Sequence, residues 1–321
     1  MRDTDIFLRM TNILRDRLKD APTLRSVAAR YDALRDATQP APVTRFAPSP
    51  TGELHLGHVA HALWVWGVAE VLDATVLIRM EDHDRTRCTA AFEASILSDL
   101  AWLGFAGEPV STASLSGHPS PFRQSDVPER YSEAFARLRS ETEVYGCTCT
   151  RALLGPADVD RERRYPGNCR GMPIDREGKH QVRVRLPDGA VRTTDLRLGV
   201  LEEEPQTTCG DIAVRDALGQ WTYQFSVVVD DLVHGVNLVV RGEDLVHSTA
   251  RQGLLGRLLG RSEPVITVHH PLVVDESGRK LSKRDRSLTV RAMREAGKSA
   301  GEVVELAWGE SRLGESPVVP R

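Results

Sequence analysis

Two histidines three residues apart, His55 and His58, stand where an extended segment gives way to a helix. The stretch reads Arg45-Phe46-Ala47-Pro48-Ser49-Pro50-Thr51-Gly52-Glu53-Leu54-His55-Leu56-Gly57-His58. Imidazoles can donate hydrogen bonds to phosphate oxygens. A strand, a tight loop and a helix N-terminus form an anion site, because free N–H groups and the helix dipole point at the loop. Gly52 and Gly57 let a ligand approach the backbone closely. Far along the chain, Gly278-Arg279-Lys280-Leu281-Ser282-Lys283-Arg284 crowds cations into one loop, as a solvated basic surface also would. Between these runs stand Glu81-Asp82-His83-Asp84-Arg85, an arginine closing an apolar run at Arg241, and the cysteines Cys147, Cys149 and Cys169. Three thiolates in a short basic region suit zinc, which prefers four tetrahedral nitrogen or sulfur donors. Tyr165, His180 or water would each serve as the fourth.

The elements that must position these groups follow from apolar periodicity. Val43 to Ala47 reads as a strand broken by Pro48 and Pro50, which cannot continue a ladder. An apolar helix runs from about His58 to Leu72. Thr75 to Glu81 is a continuous apolar run of the buried parallel-strand kind. Its charged end lies where open α/β sheets bind ligands, although a salt-bridged strand end would explain Asp82, Asp84 and Arg85 equally. Helices are expected over Ala90–Leu103, Pro128–Arg139 and Ser248–Leu259, with a loop over Glu108–Pro121. Strands are expected at Asp211–Arg215, Trp221–Val229, Asn237–Arg241 and Val265–His269. Gln181 to Leu186 alternates with period two and reads as a half-exposed strand whose arginines share a face. Before the core, Leu24, Val27, Ala28, Tyr31 and Leu34 fall on one helical face, and Ile6, Met10, Ile13 and Leu14 on another. Pro22 between the two stripes predicts a helical hairpin.

Composition bounds the class. The chain has 321 residues, a net charge of −3 and 40% hydrophobic content, as expected of a globular protein of two or so domains. Aromatics make up only 5%, which predicts a core of Leu, Val and Ala. No apolar run approaches the twenty or so residues of a membrane helix, and the charged N-terminus lacks a signal-peptide core. Five cysteines argue against a disulfide scaffold. A cytoplasmic, monomeric protein is expected, with Cys88 and Cys209 as ordinary buried residues. Any nucleic-acid contact must come from local patches, such as the excess of eleven basic over seven acidic side chains in residues 151–197.

The two nucleotide-type runs, here HLGH and KLSKR, resemble the paired signatures of class I aminoacyl-tRNA synthetases, and the leading RFAPSPTG resembles their glutamyl branch. The resemblance covers about residues 43–285. It implies an α/β fold, a Rossmann-like synthetase core with an inserted zinc-bearing acceptor-type domain, preceded here by a helical N-terminal extension. The expected division is 1–42 for the extension, 43–110 for the first half of the core, 111–210 for the insert, 211–285 for the second half, and 286–321 for a basic C-terminal tail. It implies that His55, His58 and Lys283 are catalytic. Glutamate would be held by Arg45, Phe46, Ala47, Pro48, Ser49, Glu81, Tyr223 and Arg241, and ATP with Mg2+ by Gly57, Lys280, Ser282 and Lys283. It also supplies Tyr165 as fourth ligand, beside Cys147, Cys149 and Cys169, to one structural zinc. The family often has an apolar residue where His83 sits, and the resemblance gives that histidine no role. Only 37 residues follow Arg284. The expectation is therefore the branch without anticodon-reading domains, which transfers glutamate to queuosine in tRNA(Asp). A truncated enzyme charging the 3′ end of tRNA(Glu) and a non-catalytic tRNA-binding paralogue are the alternatives.

Overall fold

The computed structural model describes residues 14–36, 40–107, 112–117, 119–150, 153–154, 164–174, 180–273 and 289–315. The KLSKR loop, with Lys280, Ser282 and Lys283, lies outside the described residues, as do Ile6, Met10 and Ile13.

A parallel sheet carries the site. β1 (Val43–Phe46) pairs in parallel with β2 (Thr75–Ile78). β8 (Leu238–Gly242) and β5 (Val191–Asp195) both pair in parallel with β9 (Ile266–His270), and β6 (Gly199–Glu203) closes that edge antiparallel to β5. The two pieces meet at Asn237, whose N–H donates to the Val43 carbonyl and whose Oδ1 accepts from the Val43 N–H. β5 and β6, inside the span read as an insert, thus belong to the sheet of β8 and β9. A separate antiparallel sheet is formed by β3 (Val144–Cys147), β4 (Gln181–Val184) and β7 (Ile212–Arg215).

The helix that follows β1, α3 (Leu56–Leu72), is apolar nearly all round, and eleven of its residues are buried. Such a helix needs cover on several sides. The sheet covers one side. Helix α1 (14–20) and α2 (Pro22–Leu34) cover another, with Leu18 and Leu24 seated on Gly67, where a Cβ would clash at 2.9 and 2.7 Å. Among the described residues two helices thus flank Ala21 and Pro22, and Leu34, read as part of the apolar face, is exposed. The third cover is α11 (Ala300–Ser311), tied by Trp64 Nε1 donating to the Ser311 carbonyl at 2.9 Å. The stretch read as a basic tail therefore holds two helices, α10 (Val290–Glu295) and α11. A Ser299–Glu302 capping box starts α11, and Val303, Val304 and Ala307 enter the core.

α4 (Ala90–Leu103) has the expected bounds, and α6 spans Pro128–Glu141. Within the expected loop 108–121, Thr112–Leu115 forms a short helix, α5. α7 is Pro205–Thr208 and α9 is Thr249–Leu258. One element differs in kind. Trp221–Val229, read as a strand, contains the start of helix α8 (Tyr223–Val233). Residues 225–231 are all buried, so no polar face marks the helical period, and a short buried apolar run cannot be assigned by periodicity. β4 also departs from its half-exposed reading. It is the central strand of its sheet, so Arg183 is buried, stacked 3.9 Å over Tyr165, while Arg185 pairs with Glu143 at the surface.

Candidate active site

The histidine loop behaves as its residue types suggest. His55 is the N-cap of α3, its Nδ1 accepting from the Gly57 N–H at 3.1 Å. His58 Nδ1 accepts in turn from the His55 N–H at 3.1 Å, and the rings lie 3.8 Å apart. With both Nδ1 atoms accepting, each neutral imidazole carries its proton on Nε2, the tautomer that donates to a phosphate oxygen. The loop before the cap is fastened to the end of β2: Glu81 N–H donates to the Pro48 carbonyl at 3.0 Å and Thr89 N–H to that of Pro50 at 3.1 Å.

Beyond the strand ends lies a buried cluster of arginines and carboxylates. Arg45, near the end of β1, donates from Nε to Asp231 at 3.1 Å. Arg79, just past β2, donates to Asp231 at 2.7 Å and to Glu81 at 2.8 Å. Burial alone would push the Asp231 carboxyl up, but Arg45 and Arg79 hold it below the usual carboxylate range. Burial would likewise lower Arg79, and Asp231, Glu81 and Asp230 raise it above its ordinary value instead. Glu81 is thus linked to Arg45 only through Arg79 and Asp231, and it already has an arginine partner. Asp82 accepts from Arg85 and from the Ser125 N–H, and Asp84 pairs with Arg87, so the salt-bridged strand end describes these two.

Arg241 faces His269 across the β8–β9 ladder. Its Nε donates to His269 Nε2 at 3.0 Å, Nη1 to Gln252 Oε1 at 2.6 Å and Nη2 to Thr249 Oγ1 at 2.8 Å. His269 Nε2 therefore accepts, and Nδ1–H donates to Asp195 Oδ2 at 2.7 Å. Burial pushes His269 below its ordinary value against the pull of Asp195, and Arg241 adds to the lowering. Burial would raise Asp195, but His269, the Leu198 N–H and Thr267 together hold that carboxyl below its usual range. Tyr223, at the start of α8 rather than on a strand, lies among the same charges; burial raises its phenol and Arg241 opposes the rise. Phe46 is buried in the core, and Ala47, Pro48 and Ser49 follow it in the loop.

Sequence reasoning did not find Arg79, Asp231, Asp195 or His269. The one available signal was a charge inside an apolar run, as for Arg79 in Thr75–Glu81.

The cysteines form a second site. The sulfurs of Cys147, Cys149 and Cys169 lie within 4.8 Å of one another, and those of Cys149 and Cys169 are 3.5 Å apart. A tetrahedral zinc with bonds of about 2.3 Å separates its sulfur ligands by roughly 3.8 Å, so the trio fits a metal of this kind. The Tyr165 hydroxyl accepts from the Cys169 N–H at 2.8 Å and also meets the Cys147 and Cys169 thiols. His180 Nε2 is buried without a hydrogen bond, close to Gly146. Gly210, at φ +70°, holds Tyr165 in place: a Cβ there would meet the Tyr165 carbonyl oxygen at 2.2 Å. Cys88 and Cys209 are half-buried rather than buried and stand outside the trio.

Among the described residues no helix is long and apolar enough to cross a membrane. Residues 42–306 match the family model described as tRNA synthetases class I (E and Q), catalytic domain. The chain is 39% identical over 285 residues to a glutamyl-Q tRNA(Asp) synthetase of Geobacter sulfurreducens, covering 87% of this chain and 86% of that protein. It is 41% identical over 251 residues to the glutamyl-Q tRNA(Asp) synthetase of Bordetella bronchiseptica, covering 76% and 75%. A glutamate–tRNA ligase of Anaeromyxobacter sp. is 38% identical over 80% of this chain and 54% of its own length. A crystal structure of the glutamate-tRNA synthetase from Elizabethkingia anophelis superposes with a TM-score of 0.63 at 25% identity, over 77% of this chain and 53% of that one.

Proposed function

Because the chain belongs to the class I tRNA synthetases of the glutamate and glutamine group, we propose that it activates glutamate with ATP and transfers it to queuosine at the wobble position of tRNA(Asp). The observation that supports this reading is that Tyr223 lies among the charges of Arg45, Arg241 and Glu81, all three of them buried. Guanidinium forks suit the two carboxylates of glutamate, and a carboxylate suits its ammonium. Ala47, Pro48 and Ser49 would line the approach with Phe46 packed in the core behind them, and Tyr223 would border it.

In the first step a glutamate carboxylate oxygen attacks the α-phosphorus of ATP in line. The bond to pyrophosphate breaks and glutamyl adenylate forms. Such chemistry needs positioning and stabilisation of phosphate charge more than proton transfer. His55 and His58 donate to the phosphates, Gly57 admits them to the backbone, and Lys283, with Lys280 and Ser282, meets the charge that moves to pyrophosphate. Mg2+ bound to the triphosphate would neutralise part of that charge. In the second step a hydroxyl of the queuosine cyclopentenediol attacks the activated carbonyl and AMP leaves.

Cys147, Cys149, Cys169 and Tyr165 would hold one structural zinc, which would fasten the β3–β4–β7 sheet into a tRNA-binding surface. The enzyme is proposed to work as a cytoplasmic monomer. The test is to glutamylate tRNA(Asp) with labelled glutamate, cleave the tRNA and find the labelled fragment. Label in the anticodon loop, dependent on queuosine, is expected. Label on the 3′-terminal adenosine would establish the charging enzyme instead.

A further inference from the structure

His83 lines a cleft of about 1000 Å³ that starts at Pro50 of the phosphate loop and runs past Asp82, Arg85 and Gln124 toward Trp221. A cleft of this size admits a nucleoside. The ring of His83 is held in one tautomer by a chain of unambiguous donors and acceptors. Asp230 is fully buried and its carboxylate, which can only accept, takes a hydrogen bond from Gln124 Nε2 at 2.8 Å. That fixes the amide so that Gln124 Oε1 points at His83, 2.8 Å from Nδ1. The amide oxygen carries no proton, so Nδ1–H must donate and Nε2 must present a lone pair. The backbone N–H of His83 donates to the same Oε1 at 3.3 Å, which locks the arrangement from a second side. Gln124 is itself 3% exposed, so water does not compete for its amide.

We infer that His83 is the catalytic base of the transfer step, a reading that rests on the proposed function. The position supports the role. His83 lies two residues beyond Glu81, the proposed partner of the glutamate ammonium, and Asp230 links its network to Arg79 at 3.9 Å. A nucleoside in the cleft brings its hydroxyl between the adenylate and Nε2. The hydroxyl proton passes to His83 Nε2 as its oxygen forms the ester bond to the glutamyl carbonyl carbon. The bond from that carbon to the phosphate oxygen breaks, and AMP leaves with the electron pair. The imidazolium then returns its proton to solvent through the open cleft. Activation, which moves no proton, does not use His83.

The experiment is single-turnover. Full-length enzyme is loaded with glutamyl adenylate, mixed with queuosine-bearing tRNA(Asp), and the transfer rate is read by rapid quench beside ATP–pyrophosphate exchange. Positioned general bases contribute typically 10²- to 10⁴-fold. His83→Ala should slow transfer by about that factor and leave exchange unchanged, with added imidazole restoring part of the loss. His83→Gln, which fills the space, should be as slow and not be rescued. Full-rate transfer by His83→Ala would overturn the proposal, as would parallel loss of transfer and exchange, which marks a merely structural histidine. If the wild-type enzyme labels the 3′-terminal adenosine instead, the queuosine reading fails, and the same comparison on that hydroxyl still decides the role of His83.

Discussion

Asp231→Asn isolates the charge at the centre of the candidate site. The substitution keeps the volume and one acceptor oxygen and removes a carboxylate shared by Arg45 and Arg79. The side chains of Arg45, Arg79 and Asp231 are 6%, 1% and 10% exposed, and the contacts are 3.1 and 2.7 Å, so solvent screens little. Removing one partner of a buried pair costs about 3–5 kcal/mol. Asparagine still accepts one bond, and Glu81 and Asp230 remain beside Arg79, so the loss should sit near 3 kcal/mol. With a urea slope of about 3 kcal/mol/M, the unfolding midpoint at pH 7 should fall by about 1 M. The pH dependence has a fixed sign. The folded carboxyl is held below its unfolded value, which is about 3.9, so its contribution is complete above that pH and fades as pH falls through the folded value. The gap between wild type and variant should therefore be constant from pH 5 to 8 and close in stronger acid. A midpoint shift below about 0.3 M at pH 7, equivalent to about 1 kcal/mol, would refute the central role given to this carboxylate.

Lys283→Ala should cost about 2–4 kcal/mol of transition-state stabilisation in ATP–pyrophosphate exchange, comparable with loss of one oxyanion donor, and leave unfolding unchanged; normal exchange would remove the KLSKR assignment. Glutamine should support exchange far less well than glutamate, because an amide brings no negative charge to a buried arginine; equal rates would sink the two-arginine arrangement. Metal analysis should find about one zinc per chain. Cys147→Ser should lower that content and weaken tRNA use more than glutamate activation, and loss of activation on chelation with the fold intact would contradict a structural role.

What could be read from the chain was local. The β1 break, the presence of α3 and the bounds of α4 each announce themselves through proline or a continuous apolar period, while the His55 cap that starts α3 at Leu56 was not read. The cysteine trio was legible because thiol ligands recur at short spacing. Arg79–Asp231 and Asp195–His269 join residues 152 and 74 positions apart, and nothing near either partner in sequence points to the other. Arg183 looked exposed because alternation reports the pleat, while its burial depends on β3 and β7 flanking β4. α8 was lost for the same reason in reverse: cover on all sides erases the period that identifies a helix.

The joint between β1 and β8 also sets a timetable for biosynthesis. Val43 and Asn237 are 194 residues apart. At about 5–20 residues per second, β8 leaves the ribosome roughly 10–40 s after β1. Through that interval β1 and β2 stand as a two-stranded ribbon with an open edge, the kind of surface on which strange chains add. α3 waits longer still, because the Ser311 carbonyl that receives its Trp64 lies 247 residues downstream. The nascent chain thus carries an apolar helix and a strand edge through most of its synthesis, and the candidate site is among the last things made. A ribosome-arrested chain ending before Leu238 should be cut readily within α3 by added protease, whereas the released protein should resist; equal protection would show that the first half folds alone.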